Sequence, residues 1–303
     1  MKNKFIFYLF LIVSNTLLSQ IYYVSPSGNN MADGSIDSPF LHIQHAIDQG
    51  ASEIYLKEGI YTNSEELNGS NVIIKANQGD NVVFDGSILV NKPLEFQAEW
   101  IQYDGNIYRT YLNEPIWQLF MNEKEMVMAR WPNTNFEEDM IYNNDYWAHS
   151  NSEDEDGVVN DITDISILSE EFKNLSDFNN DDINGALLVA NFCSFKTKVR
   201  TVLSSGLDVV NNKFEYTPIG GEYRDKHHYY FLENKLAFLD HPNEWIYIDG
   251  FLYMWSEVGD GIDLASATIK GKNQDFAFIL SNCNNITIEG VKFFASTISI
   301  QNS

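Results

Sequence analysis

At 303 residues, with 44% hydrophobic and 14% aromatic content, the chain can bury a sizeable core, which excludes a disordered protein. Its 43 acidic and 19 basic residues give a net charge of −24, so nucleic acid and anionic membrane are set aside as partners. Only two cysteines occur, Cys193 and Cys283, which leaves open either one disulfide or two buried thiols.

Lys2 and Lys4 precede an apolar stretch from Phe5 to Val13 that continues less strictly to Leu18, and Ser19-Gln20 follows. A basic start, a short apolar run and a small residue at its exit describe a secretory signal peptide over residues 1–20. The run falls short of the roughly 20 residues that a bilayer span needs. The expectation is a secreted protein (extracellular, periplasmic or at the cell surface) that does not sit in a membrane once the signal is removed.

Tyr22-Tyr23-Val24-Ser25 is a short β-prone run closed by the turn formers Pro26, Gly28 and Asn29. A helix is predicted next, with Ser38 as N-cap, Pro39 at the first position and Gly50 as the stop. Ile43, Ala46 and Ile47 would share one face. Strands are then predicted at Ile54–Leu56, Val72–Ile74 and Val82–Phe84, separated by Gly, Asn and Asp. An amphipathic helix followed by stacked short strands suits the capped first turns of a solenoid over 21–90.

From 91 to 264 the pattern changes to that of an inserted β-rich, sandwich-like module. Trp117–Met121 and Met126–Ala129 flank a polar turn, and Asp249-Gly250 between Trp245–Ile248 and Phe251–Met254 signals a type I′ hairpin. Further strands are expected at Ala186–Ala190, Thr197–Leu203, Phe214–Thr217 and Tyr229–Leu232. Between Glu137 and Asp182 lie 15 Asp or Glu residues and a single Lys173, reading as an acidic surface loop over 137–184. Calcium is the alternative reading, because Asp177, Asn179 and Asp181 alternate like the opening of a calcium loop. The sixth and twelfth positions of that loop, however, are Asp182 and Leu188 where Gly and Glu are wanted. No metal site and no cofactor are expected.

The solenoid pattern resumes over 265–303. Phe278–Asn282 and Ile298–Asn302 are alike and start 20 residues apart, with Ile286–Glu289 and Val291–Phe294 between them. Asn282, Asn285 and Gly290 are expected at the corners. A solenoid turn buries its inner face only by stacking, so a chain stopping at Ser303 is expected to be the N-terminal portion of a longer protein.

The fold class that follows is all-β: a right-handed parallel β-helix interrupted by the inserted module, with a short N-terminal capping helix. YYVSPSGNN, DGSIDSPFLHIQHAID and IYLKEGIYT, in that order, resemble the start of secreted right-handed parallel β-helix proteins with the pectin-lyase-like fold. IWQLFMNEKEMVMARWPN and ENKLAFLDHPNEWIYIDGFLYMW resemble two segments of β-helix families with glycosidase members, which usually carry Gly where this chain has Asn243. The resemblance implies a carbohydrate-active enzyme acting on a polysaccharide or oligosaccharide, a glycoside hydrolase rather than a lyase, since lyase substrates are uronates and this chain is so acidic. A glycan-binding adhesin and a non-functional fragment are the other readings.

The residues themselves name no catalytic pair, and the catalytic coils of the implied enzyme are expected beyond Ser303. Asp240 with Glu244, and Asp260 with Asp263, are the closely spaced acids, but both pairs lie in turn-rich sequence. His227-His228 would point to opposite faces of a strand and so read as structural. Gly220-Gly221 belongs to no phosphate-binding pattern. Trp131, in Arg130-Trp131-Pro132, is the candidate for stacking on a sugar.

Overall fold

The structure is a computed structural model describing residues 20–90, 100–151, 155–164, 173–193, 195–224, 227–256, 264 and 267–302. It is all-β with few helices and divides into two compact units. One holds the described residues up to Gly86 and from Gln274 onward, and the other holds those within Ser87–Asn273. Of the expected signal peptide over 1–20, residues 1–19 lie outside the described residues.

The first unit contains three parallel sheets. Ile21–Val24, Glu53–Leu56, Ser70–Ala76 and Asn284–Glu289 make one. Gly59–Tyr61, Val82–Asp85 and Val291–Phe294 make the second. Glu65–Leu67, Phe276–Ser281 and Thr297–Gln301 make the third. From Glu53 onward the chain visits the three sheets in the same order three times. The second circuit is interrupted after its second strand, at Gly86, and taken up again at Gln274, whose N–H donates to the Gly86 carbonyl at 3.1 Å.

The 20-residue repeat appears as register, with Phe278 opposite Ile298 and Leu280 opposite Ile300. Its corners are Asn282, Asn285 and Gly290, with φ of 54°, 53° and 70° in the left-handed region that Asn and Gly tolerate best. Period-2 alternation buries Ile54, Leu56, Val72, Ile74, Val82 and Phe84 on the inner side. Tyr61, Phe84 and Phe278 stack across that core, with ring centroids 4.9 and 4.5 Å apart.

The helix spans Ile43–Asp48 and buries Ile43 and Ala46 in the same core. Its start corrects the expected cap. Phe40 is drawn into a parallel bridge with Val24, so Ser38 and Pro39 lie before the helix instead of opening it. The first N–H groups are satisfied from a distance: Asn30 Oδ1 accepts from Leu41 and His42 at 3.0 and 3.1 Å, and Glu65 Oε2 accepts from Gln44 at 3.0 Å. Gly50, at φ 88°, follows the helix as expected.

Among its described residues the second unit holds two sheets. The eight-stranded one runs in the order Ser87–Leu89, Ile269–Lys272, Gln118–Met121, Lys124–Met128, Glu244–Ile248, Phe251–Trp255, Ile107–Tyr111, Ile101–Asp104. All its pairings are antiparallel except that between Lys124–Met128 and Glu244–Ile248. The other follows Arg130–Trp131, Tyr229–Glu233, Leu187–Cys193, Lys196–Asp208, Lys213–Tyr216 and Val158–Asn160, with Ala148–His149 also pairing Tyr229–Glu233.

Asp249-Gly250 makes the expected two-residue turn, with φ of 50° and 83° and Ile248 opposite Phe251. That hairpin is buried on both faces. Ile246 and Tyr253 join a core with Leu188, Phe192 and Tyr230, while Trp245, Leu252 and Met254 join another with Leu119 and Ile269.

Candidate functional site

The strand alternation of the seven-stranded sheet builds a cleft on one side and a core on the other. Arg130 lies opposite Glu233, and Trp131 opposite Leu232. Successive strand residues face opposite ways, so Trp131 goes to the core with Tyr230 and Leu232, whereas Arg130, Phe231 and Glu233 line the cleft.

Trp131, the candidate stacking residue, is therefore 2% exposed. Its ring lies 6.2 Å from that of Tyr230, and its Nε1 donates to the Lys173 carbonyl at 2.7 Å. It packs the core and presents no face to a sugar in this structure. Its neighbour Arg130, which the sequence reading passed over, is the residue that reaches the cleft.

The cleft has a volume of about 470 Å3, within the roughly 300–1,000 Å3 of small-ligand pockets. Arg130 forms part of its floor, with the guanidinium stacked 3.7 Å from the centre of the Phe231 ring and Nε donating to the Pro132 carbonyl at 3.0 Å. Burial pulls this guanidinium down to about 10, so it stays cationic at neutral pH. Its Nη2 is buried and has no hydrogen-bond partner among the described residues. Glu233 lines the same cleft; burial holds its carboxyl above the usual range, and Arg130 pulls the other way. No ion pair joins the two.

The walls are aromatic. Trp147 meets Phe231 edge to face at 4.8 Å and donates through Nε1 to the Ile141 carbonyl at 3.3 Å, which fixes its ring. Trp117 and Tyr142 are 42% and 73% exposed. Glu125 also borders the cleft, held by Gln118 Nε2 at 2.8 Å. Flat apolar walls over a floor with one donor and one acceptor suit a ligand with apolar faces and polar edges.

The other expected positions fall elsewhere. Glu244 is fully buried, and its oxygens accept from the backbone N–H groups of Arg130, Asp240 and His241 at 3.4, 3.2 and 3.2 Å. Asp240 pairs with Lys173 at 2.8 Å and accepts from Asn133 Nδ2 at 3.0 Å. The two acids thus hold one turn together. Asp260 and Asp263 lie outside the described residues.

His228 is buried among Phe192 and Tyr223, and His227 has φ of 71° just before the strand begins. Gly220-Gly221 is a turn, tied by Asp156, which accepts from the Ile219 and Gly220 N–H groups at 2.8 and 2.6 Å. In the acidic tract, Asp177 and Asn174 form one capping box, Asn179 and Asp182 another, so the supposed calcium-loop opening instead caps two short helical turns. Among the described residues no group of three metal-ligating side chains is found, and no helix is long and apolar enough to cross a membrane.

No family model matches the chain. It is 30% identical over 143 residues to a pectate lyase of Emericella nidulans, covering 43% of this chain and 35% of that enzyme. Among solved structures, one titled as a glycoside hydrolase superposes with a TM-score of 0.62 at 16% identity, over 91% of this chain and 51% of the other. Another, the complex of XylC with xylose, gives 0.44 at 15% identity over 92% and 36%. The chain thus spans about a third of the length of the lyase and about half that of the hydrolase.

Proposed function

We propose that this chain is part of a secreted carbohydrate-active enzyme built on a right-handed parallel β-helix. In this reading residues 1–20 are a signal peptide, and a β-rich module over about 91–264 is inserted into the second turn of the helix. The fold reading is supported by the three parallel sheets, visited repeatedly in one order, and by the superposition on the glycoside hydrolase. The carbohydrate reading is carried by the aromatic-walled cleft with Arg130 and Glu233 on its floor. Its substrate class is a polysaccharide or oligosaccharide.

Hydrolysis of a neutral glycan ranks above lyase chemistry, because a net charge of −24 repels polyuronates. Lyase action is the second reading, favoured by the sequence similarity to the pectate lyase. The test is to incubate the whole protein, of which this chain is proposed to be a part, with neutral glycans and with polygalacturonate. Reducing-sugar release from a neutral glycan is expected. Unsaturated uronate ends, seen by ultraviolet absorbance, would replace the hydrolase reading with the lyase one. Absence of both products would overturn the enzyme reading in favour of a glycan-binding module.

A further inference from the structure

We propose that the cleft of the Ser87–Asn273 unit is a binding subsite for a neutral sugar ring, with Arg130 donating to a ring hydroxyl and Glu233 accepting from one. The proposal rests on the carbohydrate reading above and adds the sugar class and the residues that select it.

The argument starts from an unmet demand. Arg130 lines the cleft and makes no ion pair among the described residues, and a charged donor left without an acceptor in a largely buried place is costly. Its cross-strand partner Glu233 does not meet that demand, since no ion pair forms although the two residues are directly opposed. A pair of sugar hydroxyls can serve a donor and an acceptor on neighbouring strands, because each hydroxyl both donates and accepts.

Charge then selects among ligands. A uronate carboxylate would be met by Arg130, but the carboxyls of Glu233 and Glu125 line the same cleft. A cationic ligand would meet Glu233 and be repelled by Arg130. A neutral ring satisfies both groups and can lay its C–H faces on Trp117 and Trp147. The Arg130 guanidinium is already held over Phe231, so little side-chain entropy is lost on binding.

The test is calorimetric titration of the full chain with cellobiose, xylobiose and digalacturonate, followed in parallel by tryptophan fluorescence. Binding of at least one neutral disaccharide is expected, in preference to digalacturonate. Glu233→Gln and Trp117→Ala should each weaken it about tenfold without changing the circular dichroism. Both lie at the cleft surface, so the test does not depend on altering the buried Arg130. Preferential binding of digalacturonate, binding of none of the three, or neutral binding untouched by both substitutions would each overturn the proposal. Glycan cleavage is assayed on the same substitutions made in the whole protein. Cleavage with sugar binding unaffected by the cleft substitutions would sink the subsite and leave the enzyme reading standing. Cleft-dependent binding without any cleavage would do the reverse.

Discussion

The rings of Phe84 and Phe278 meet with their centroids 4.5 Å apart and their planes at 64°, although all of Ser87–Asn273 intervenes between them in the chain. Both are buried, and Phe84 also stacks on Tyr61 and Phe293. This pair therefore joins the strands laid down before the second unit to those laid down after it. Phe278→Ala removes a ring from a sealed core. The expected cost is about 3–5 kcal/mol, part of it from the lost aromatic pair. Urea unfolding followed by circular dichroism measures it, and a loss below about 1 kcal/mol would mean that the joint is made elsewhere.

Gly28 lies where the turn after the first strand crosses the chain at Phe40. Its N–H donates to Ser25 O at 2.9 Å, and the next N–H, of Asn29, donates to Pro39 O at 3.0 Å. A Cβ here would come within 2.0 Å of the Phe40 carbonyl oxygen. Backbone cannot rotate aside as a side chain would. Gly28→Ala is expected to cost about 1–3 kcal/mol, while Gly79→Ala, where a Cβ meets no atom within 4 Å, should lose less despite its φ of 87°. Comparing the two denaturation midpoints checks the ordering.

Cys193 and Cys283 are both buried thiols that form no disulfide. Cys283 Sγ donates to the Leu67 carbonyl at 3.1 Å, so that thiol is a satisfied core group. In native protein neither should react quickly with an aromatic disulfide reagent. After denaturation without reductant, two thiols per chain are expected, and dithiothreitol should leave the melting temperature unchanged. A denatured titre near zero would instead reveal a disulfide.

Much of the first unit could be read from residue order, because its strands carry local signals. Asn282, Asn285 and Gly290 mark corners, Ile54–Leu56 and Val82–Phe84 alternate, and the 20-residue likeness of Phe278–Asn282 and Ile298–Asn302 became strand register. Glu65–Leu67 was not legible as a strand. Its two glutamates look polar, yet Glu65 is spent on the helix N–H of Gln44, and only Leu67 enters the core. The cleft was hidden for a related reason. That Arg130 faces Glu233 depends on pairing between strands about 100 residues apart. Trp131 stands on the core side of the same strand, and a large aromatic in sequence signals burial and binding equally well.

The last prediction concerns pH. Burial, and next the neighbouring Asp240 carboxylate, hold the Glu244 carboxyl well above the usual range, against the pull of three backbone N–H donors. A folded pKa above the unfolded value means that the folded protein keeps a proton which the unfolded chain gives up. Glu244 therefore contributes stability that is fully present below the unfolded value of about 4.3. That contribution is lost as pH rises through the folded pKa. Burial raises Asp161 and Glu233 in the same direction. Glu244→Gln removes one titration and keeps one acceptor oxygen, but it turns an NH2 group toward a backbone donor, at a cost of about 1 kcal/mol. The variant should thus be the less stable protein at pH 4, and the gap should narrow or reverse by pH 7. Taking the difference between the two stability curves cancels the general repulsion of so acidic a chain. A difference that stays constant across this range would remove Glu244 from the groups that titrate on folding.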